Sequence, residues 1–393
     1  MTTAIIITIC LLLLLAYLFD ISSPLTKIPS VILLLLLGWA VRQTANYFNI
    51  YIPDLNSLLP IFGTIGLILI VLEGSLELEL NKSKLNVIKK SSLNALIPMF
   101  VLAFLIAYGI HFFGEISFKT ALLNAIPFCV ISSAIAIPSV RVLSEYNKEF
   151  IIYESSLSDI YGVLFFNFIA LNEIINAEAF GNFGIELFLI IVISFFAVLG
   201  LSFLLSRIQH HITFTPIILM VILIYAVSKV YHLPGLVFIL VFGIFLGNLD
   251  ELKKYSWIAK FHPEKLDKEV KKFKEITIEA TFLVRALFFM LFGYLMEATE
   301  ILNLETLPWA AVITLSIIVV RWLALKISKL PTSPLLYIAP RGLITILLFL
   351  SIPVEQSILI ISKSLIIQTI VLSVFVMMFG LMTTKKNDAY QEL

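Results

Sequence analysis

The chain has 393 residues, of which 60% are hydrophobic and 13% are charged, and its formal net charge is +1. Because soluble domains are about 45 to 50% apolar, this composition excludes an ordinary soluble fold and indicates a protein that crosses a membrane many times. The nearly neutral charge also argues against nucleic acid as a partner.

Apolar runs long enough for a hydrocarbon core of about 30 Å occur thirteen times along the chain. They predict an all-α integral membrane protein. Residues 1–382 form a single transmembrane unit, and residues 383–393 form a short cytoplasmic tail. The first run has no basic region before it and no small-residue cleavage site, so we interpret it as a retained helix. The predicted spans are 3–19, 28–41, 57–75, 92–113, 120–144, 151–175, 184–206, 214–231, 234–249, 276–298, 307–328, 334–353 and 357–382.

The positions of Lys and Arg predict the orientation of these spans. With the N-terminus outside, the inner loops and tail carry 20 of the 27 Lys and Arg residues, and the outer loops carry four. Since cytoplasmic loops are rich in these residues, we expect an outside N-terminus and a cytoplasmic C-terminus. The longest polar segment, 250–275, is then a cytoplasmic connector, with lipid binding by its lysines as the alternative interpretation.

Two spans contain residues that interrupt membrane helices. Paired interruptions at matching positions of two halves are typical of transporters built from inverted repeats; the plainer alternative is that Pro and Gly are common in membrane helices. With six spans on each side of the seventh, spans five and twelve are both fifth members, which predicts inverted repeats of six with crossed broken helices. The fifth span carries Pro127, Ser132, Ser133 and Pro138, and the twelfth carries Pro340, Gly342 and Pro353.

Burying an ionisable residue inside a membrane span has a high free-energy cost. Such residues usually face a bundle interior or a water-filled cavity, and they mark ion paths. Asp159, Arg285 and Arg341 lie deepest in their predicted spans, whereas Arg321 is placed where it can snorkel from the inner half of span eleven. The full set is Glu73, Glu154, Asp159, Glu279, Arg285, Arg321 and Arg341.

The stretch "ESSLSD", residues 154–159, holds two carboxylates that need different partners. Residues five apart on a helix are rotated by about 140° and separated by roughly 7.5 Å along its axis, so Glu154 and Asp159 cannot easily share one ligand. Ser155 lies four residues before Asp159 and on its face, which predicts that the two hold a small cation together. Glu154 requires a compensating charge, for which Arg285 and Arg341 are the candidates.

Burial disfavours the charged form of Asp159, and a bound cation restores it. A proton and a cation therefore compete for the same oxygens, which is the behaviour of an exchanger. This interpretation predicts that the Asp159 site must hold either a proton or a cation before it moves from one side of the membrane to the other.

Three motifs give the chain a family resemblance. "ESSLSD" is similar to the span-six pattern of monovalent cation/proton antiporters, Glu-Ser, two residues, then Asn-Asp. "VLEGSLELEL" resembles their span-three Phe-Glu-Gly-Gly-Leu, and "PRGLITILL" resembles their late Arg-Gly motif. The order and placement of these motifs resemble the sodium/hydrogen exchanger branch of the superfamily.

The resemblance implies that Asp159 binds the ion and the proton, that Ser155 is a ligand and that Glu154 is a structural partner of Arg341. Arg285 matches a basic position of some relatives. It further implies a homodimer in lipid, with a core that moves against a dimerisation domain, and no cofactor apart from the transported Na⁺ or K⁺ and H⁺.

Two departures keep other functions open. Ser158 replaces the Asn of the family motif, and "SSAIAIP" replaces the span-five Thr-Asp-Pro and resembles the serine pair of potassium efflux proteins; Ser132 and Ser133 are then candidate hydroxyl ligands. We expect Na⁺/H⁺ exchange across the inner (plasma) membrane of a prokaryote, with K⁺/H⁺ efflux as the alternative. An integral membrane enzyme is the alternative of another class, although the sequence shows no catalytic cluster near a membrane face.

Overall fold

In the computed structural model of the protein, residues 2–50, 52–78, 82–140, 143–207, 214–231, 233–248, 263–358 and 361–383 are described, and the regular structure in these ranges is helical. The first half of the predicted connector, 250–262, and the tail beyond residue 383 lie outside the described residues. Helices satisfy their own backbone hydrogen bonds, which is why a chain this apolar crosses a membrane in this form.

The described ranges contain fifteen α-helices. Each of the thirteen predicted spans coincides with one of them or with a pair, so the predicted all-α class is confirmed. The helices are α1 (Thr2–Thr26), α2 (Ser30–Tyr47), α3 (Leu58–Glu77), α4 (Leu85–Gly114), α5 (Phe118–Ala125), α6 (Ser133–Ser139), α7 (Glu145–Leu171), α8 (Ala177–Arg207), α9 (Phe214–Val230), α10 (Gly235–Gly247), α11 (Pro263–Leu295), α12 (Ala298–Ile301), α13 (Leu307–Ile327), α14 (Leu343–Leu350) and α15 (Lys363–Thr383).

Contacts divide the long helices into two sets. α11 packs against both α2 and α3, and α10 packs against α3 and α8; with α1 and α9 these helices form what we call the flanking bundle. α4 packs against α5, α7 and α13, while α6 packs against α7 and α13 against α15; with α14 these form the crossing bundle. α3 also contacts α6, α7 and α14 and so lies between the two sets.

The two bundles follow the predicted repeats. The first three spans of each repeat, α1 to α3 and α9 to α11, belong to the flanking bundle, and the last three belong to the crossing bundle. The offset of seven spans gives the repeats opposite orientations in the membrane. The fifth members consequently approach each other from opposite sides of the bilayer.

The interruptions of spans five and twelve meet within the crossing bundle. Span five runs as α5, a 3₁₀ turn at Ile126–Phe128 and then α6, while span twelve becomes regular only at α14. The backbone N–H of Ser132 donates to the carbonyl oxygen of Pro340 at 2.9 Å. A Cβ at Gly342 would lie 2.5 Å from Cδ1 of Ile135 and 2.9 Å from the hydroxyl oxygen of Ser132, so glycine allows this close approach without displacing those side chains. The predicted crossing of two broken helices is confirmed.

Two glycines allow α2 and α11 to touch along their backbones. A Cβ at Gly38 would overlap the carbonyl oxygen of Met290, and a Cβ at Gly293 would overlap that of Leu35. Small residues at such crossings let membrane helices approach closely, which increases van der Waals contact between them. The flanking bundle therefore depends on the absence of side chains at these two positions.

Replacing Gly38 by Ala tests this crossing. We expect a lower midpoint of thermal unfolding in detergent, because the new methyl group overlaps the α11 backbone and outweighs the helix propensity gain of about 1 kcal/mol. Gly184→Ala is the matched control, since a Cβ at Gly184 meets no atom within 4 Å. A Gly38→Ala variant that melts at or above the wild-type temperature would contradict the packing described here.

Candidate ion-binding site

Asp159 lies in α7 beside the crossing of the broken helices and is 2% exposed. The hydroxyl of Ser133, the first residue of α6, donates a hydrogen bond to Oδ2 of Asp159. Oδ1 has no hydrogen-bond partner among the described residues. One oxygen of this buried carboxylate is therefore held, while the other remains available to a ligand.

Two further hydroxyls, one on the residue before Ser133 and one three residues before Asp159, are buried and have no hydrogen-bond partner within the described part of the chain. They belong to Ser132, which precedes α6, and to Ser156 in α7. Leaving a buried polar group without a partner costs about 1 to 3 kcal/mol, so unpartnered oxygens on residues adjoining the contact between Ser133 and Asp159 indicate a place for a polar ligand. Carboxylate and hydroxyl oxygens are the hard donors that a small cation prefers.

The remaining serines of the motif are engaged with the backbone. The Ser155 hydroxyl donates to the carbonyl oxygen of Ile151 at 2.7 Å, which leaves the lone pairs of its oxygen. Ser158, which stands where the family motif has Asn, accepts a hydrogen bond from the backbone N–H of Ile131 at 2.9 Å. Ser158 thus ties the interruption of span five to α7, next to Asp159.

The side chain of Arg341, a residue of span twelve, reaches the interruption of span five. Its side chain donates from Nε to the carbonyl oxygen of Phe128 at 2.6 Å and from Nη1 to that of Ala339 at 2.9 Å. Arg341 is 1% exposed. Because the C-terminal end of a helix carries partial negative charge, the guanidinium stabilises carbonyl groups that the interruption releases.

The expected pairing of Glu154 with Arg341 is wrong, and Arg285 does not replace it. The two nitrogens Nη1 and Nη2 of Arg321 each donate to one carboxylate oxygen of Glu154 at 2.8 Å. Arg321 also donates from Nε to the carbonyl oxygen of Leu335 at 2.7 Å and is 4% exposed. Arg321 therefore points into the crossing bundle, and the expectation that it snorkels is wrong as well.

Arg285 lies in the flanking bundle. Its guanidinium is 3.6 Å from the carboxylate of Asp20 in α1, and the hydroxyl of Ser30 donates to the same Asp20 oxygen at 3.4 Å. The structure thus brings Asp159, Ser132 and Ser133 together, and assigns Arg285 to a separate ion pair.

The sequence did not predict the roles of two residues in this region, Arg321 as the partner of Glu154 and Ser156 as an unpartnered hydroxyl. Arg321 had one signal, since it lies in the inner half of its predicted span as Glu154 does, and equal depth permits a contact. Ser156 had a spacing signal, because residues three apart on a helix are surface neighbours. Neither signal says which way the neighbouring helices face.

An all-helical membrane protein with two crossed, interrupted spans around a buried carboxylate has the architecture of a secondary transporter. The broken helices expose backbone groups at mid-membrane, and hydroxyl and carboxylate oxygens lie beside them. Such a site suits a small cation.

The chain belongs to the sodium/hydrogen exchanger family, because the sequence model described as sodium/hydrogen exchanger, transmembrane, matches residues 10–385. Its fold is similar to two structures of the sodium proton antiporter MjNhaP1 from Methanocaldococcus jannaschii. The structure at pH 8 has a TM-score of 0.68 and 20% identity, and the match covers 97% of this chain and 96% of that one. The electron microscopy structure has a TM-score of 0.67 and 20% identity, with 97% and 95% covered. A comparison with curated proteins gave no match.

The Glu154 and Arg321 pair can be tested by removing one charge. We expect Glu154→Gln to lower the free energy of unfolding by about 3 to 5 kcal/mol, because it leaves the Arg321 charge buried without its partner. Denaturant titration of the purified protein in detergent measures this change.

The matched control is Glu269→Gln, which removes a pair with the largely exposed Lys272 and should change stability by about 1 kcal/mol or less. Replacing both Glu154 and Arg321 by neutral residues should be milder than the single change. A Glu154→Gln variant as stable as the wild type would show that the buried pair does not support the fold.

Proposed function

We propose that this protein is a secondary active antiporter that exchanges Na⁺ for H⁺ by alternating access, with Asp159 as the carboxylate that binds either ion. The observation that carries the proposal is the Asp159 carboxylate itself, buried at the crossing with one oxygen held by Ser133 and the other unpartnered among the described residues. Membership of the sodium/hydrogen exchanger family supports the same conclusion.

Exchange follows from the cost of burying a charge. An ionised Asp159 without a cation is strongly disfavoured in a low-dielectric interior, so the loaded states are the protonated acid and the carboxylate with Na⁺. Ser133 orients Oδ2, and the hydroxyl oxygens of Ser132 and Ser155 supply further ligands to a cation at Oδ1. Because one site accepts either ion, transport of one in each direction couples the two gradients.

Arg341 and Arg321 keep the surrounding charges constant during this cycle. Arg321 neutralises Glu154 through two hydrogen bonds, so Glu154 does not take up the transported cation. Arg341 is committed to carbonyl groups at the interruption. Asp159 is thereby the carboxylate of α7 whose charge changes with its occupant.

We also propose that residues 1–382 work as one transport unit in which the crossing bundle moves against the flanking bundle. α3 supports this arrangement, since it contacts both α6 and α7 of the crossing bundle. The apolar parts of α1 (Ile6–Ser23) and α8 (Ala177–Gly200) are largely exposed, with only 11% and 17% of their residues buried. These faces suit lipid or a second copy of the chain, in agreement with a homodimer.

Two rival functions remain to be compared with the first. The missing acid in "SSAIAIP" is the feature that favours K⁺, whereas the family favours Na⁺. For an enzyme, the polar groups would need to gather near a membrane face, but Asp159 and its neighbours lie deep in the crossing bundle. We expect no cofactor, only the transported ions.

Asp159→Asn should abolish proton movement driven by Na⁺ in reconstituted vesicles, because the amide cannot alternate between a proton and a cation. In the wild type the apparent KM for Na⁺ should rise as pH falls, since protons then occupy the carboxylate more often. A pH-sensitive dye inside the vesicles records both results when Na⁺, Li⁺, K⁺ or choline is added in turn.

Asp54→Asn is the matched control, because Asp54 is exposed in an outer loop and its loss should leave exchange unchanged. A response to K⁺ alone would assign the protein to the potassium alternative. Exchange that survives in Asp159→Asn would disprove the assignment of Asp159, and a folded wild type that moves no protons with any cation would disprove antiport.

We further propose that the protein resides in the plasma membrane of a prokaryote with its N-terminus outside, as the Lys and Arg distribution predicts. Glu145 begins α7 and Glu173 lies two residues beyond its other end, and both are exposed. In a variant without Cys10 and Cys129, an impermeant maleimide should label Glu173→Cys in intact cells and Glu145→Cys only after permeabilisation. The reverse pattern would invert the topology.

A further inference from the structure

Ser156 has an environment unlike that of the other serines of its motif. It is 1% exposed, and its hydroxyl oxygen has no hydrogen-bond partner among the described residues. Ser155 and Ser158 are engaged with backbone groups of Ile151 and Ile131. Ser156 is thus the serine of "ESSLSD" whose hydroxyl is not committed to another described group.

Helix geometry places Ser156 beside the ion site. It precedes Asp159 by three residues, and residues at this spacing have Cβ atoms about 5 to 6 Å apart on one side of a helix. Oδ1 of Asp159 is likewise unpartnered among the described residues. A cation bound at Oδ1 is therefore within reach of a second oxygen from the same helix.

Gly74 of α3 lies opposite Ser156. A Cβ at Gly74 would lie 2.8 Å from the Ser156 hydroxyl oxygen and 3.6 Å from the side chain of Ile137 in α6. The Ser156 Cβ atom is 3.8 Å from the same point, which is ordinary van der Waals contact. The backbone of α3 at Gly74 thus packs closely against the Ser156 hydroxyl, with no side chain between them. We call this surface the glycine wall.

We propose that Ser156 is a further ligand of the transported cation and that Gly74 limits the space beside it, so that the two together determine cation affinity and size preference. This inference rests on the proposed function, since it requires a cation at Asp159. The hydroxyl oxygen of Ser156 coordinates the cation together with Oδ1 of Asp159. The glycine wall restricts the room for a larger ion while α3 and α7 are in contact.

The first test replaces Ser156 by Ala and measures sodium-driven proton movement in vesicles. Loss of one cation ligand should raise the apparent KM for Na⁺ about tenfold, with the maximal rate at saturating Na⁺ close to that of the wild type. The rise should differ between Li⁺ and Na⁺, because the lost oxygen contributes differently to ions of different size. A purely structural serine would instead reduce the amount of active protein without changing KM.

Ser91→Ala is the matched control. Ser91 is a buried serine of the same bundle whose hydroxyl donates to the carbonyl oxygen of Phe150 at 3.1 Å, and its loss should leave the KM for both cations unchanged. If Ser156→Ala and Ser91→Ala have the same KM values as the wild type, Ser156 is not a ligand and the inference is wrong.

A double-mutant cycle tests the glycine wall. Gly74→Ala alone should raise the KM for Na⁺, because the new methyl group displaces the Ser156 hydroxyl. In the Ser156→Ala background the same change should have little further effect, since the remaining neighbours, the Ile137 side chain at 3.6 Å and the Cβ atom of residue 156 at 3.8 Å, are at ordinary van der Waals distances. Equal effects of Gly74→Ala in both backgrounds would disprove the coupling.

The outcomes separate the two proposals. A wild-type protein that exchanges Na⁺ while Ser156→Ala and Gly74→Ala leave every KM unchanged refutes this inference and leaves the exchange function intact. A wild-type protein that exchanges no cation refutes both.

Discussion

Backbone groups released by the two broken helices must find partners within the protein, because the bilayer core supplies no water to them. The backbone N–H of Ser132 donates a hydrogen bond to the carbonyl oxygen of Pro340. Nε of Arg341 donates one to the carbonyl oxygen of Phe128. The contacts that satisfy the interruptions also bring α6 against α7. The proposed ion site at Asp159 therefore lies beside the two interruptions.

The two carboxylates of α7 illustrate how one helix supports two different electrostatic roles. Glu154 receives two hydrogen bonds from Arg321, which balances its charge within the fold. Asp159 receives a hydroxyl from Ser133, which orients the carboxylate but adds no charge. The first arrangement links α7 to α13, and the second leaves the charge of Asp159 to be set by what binds there.

Much of the fold and part of the site could be predicted from the sequence. Hydrophobic run length located the spans, and Pro127 and Pro340 marked the interruptions, because proline lacks the N–H that continues a helix. The partner of Glu154 could not be predicted, since three arginines lie within spans and the sequence does not show which helices are neighbours. Arg341 was the wrong choice because the interruption already engages its guanidinium.

The sequence by itself determined the membrane class, the number of spans and the interrupted pair, and it identified Asp159 as the candidate ion-binding carboxylate. These features depend on local composition and on helical spacing within one segment. Only the tertiary structure decided that Arg321 meets Glu154, that Arg285 meets Asp20 and that α3 packs against α6 and α7. The reason is that such contacts join segments far apart in the chain, and their pairing depends on how the helices rotate and cross.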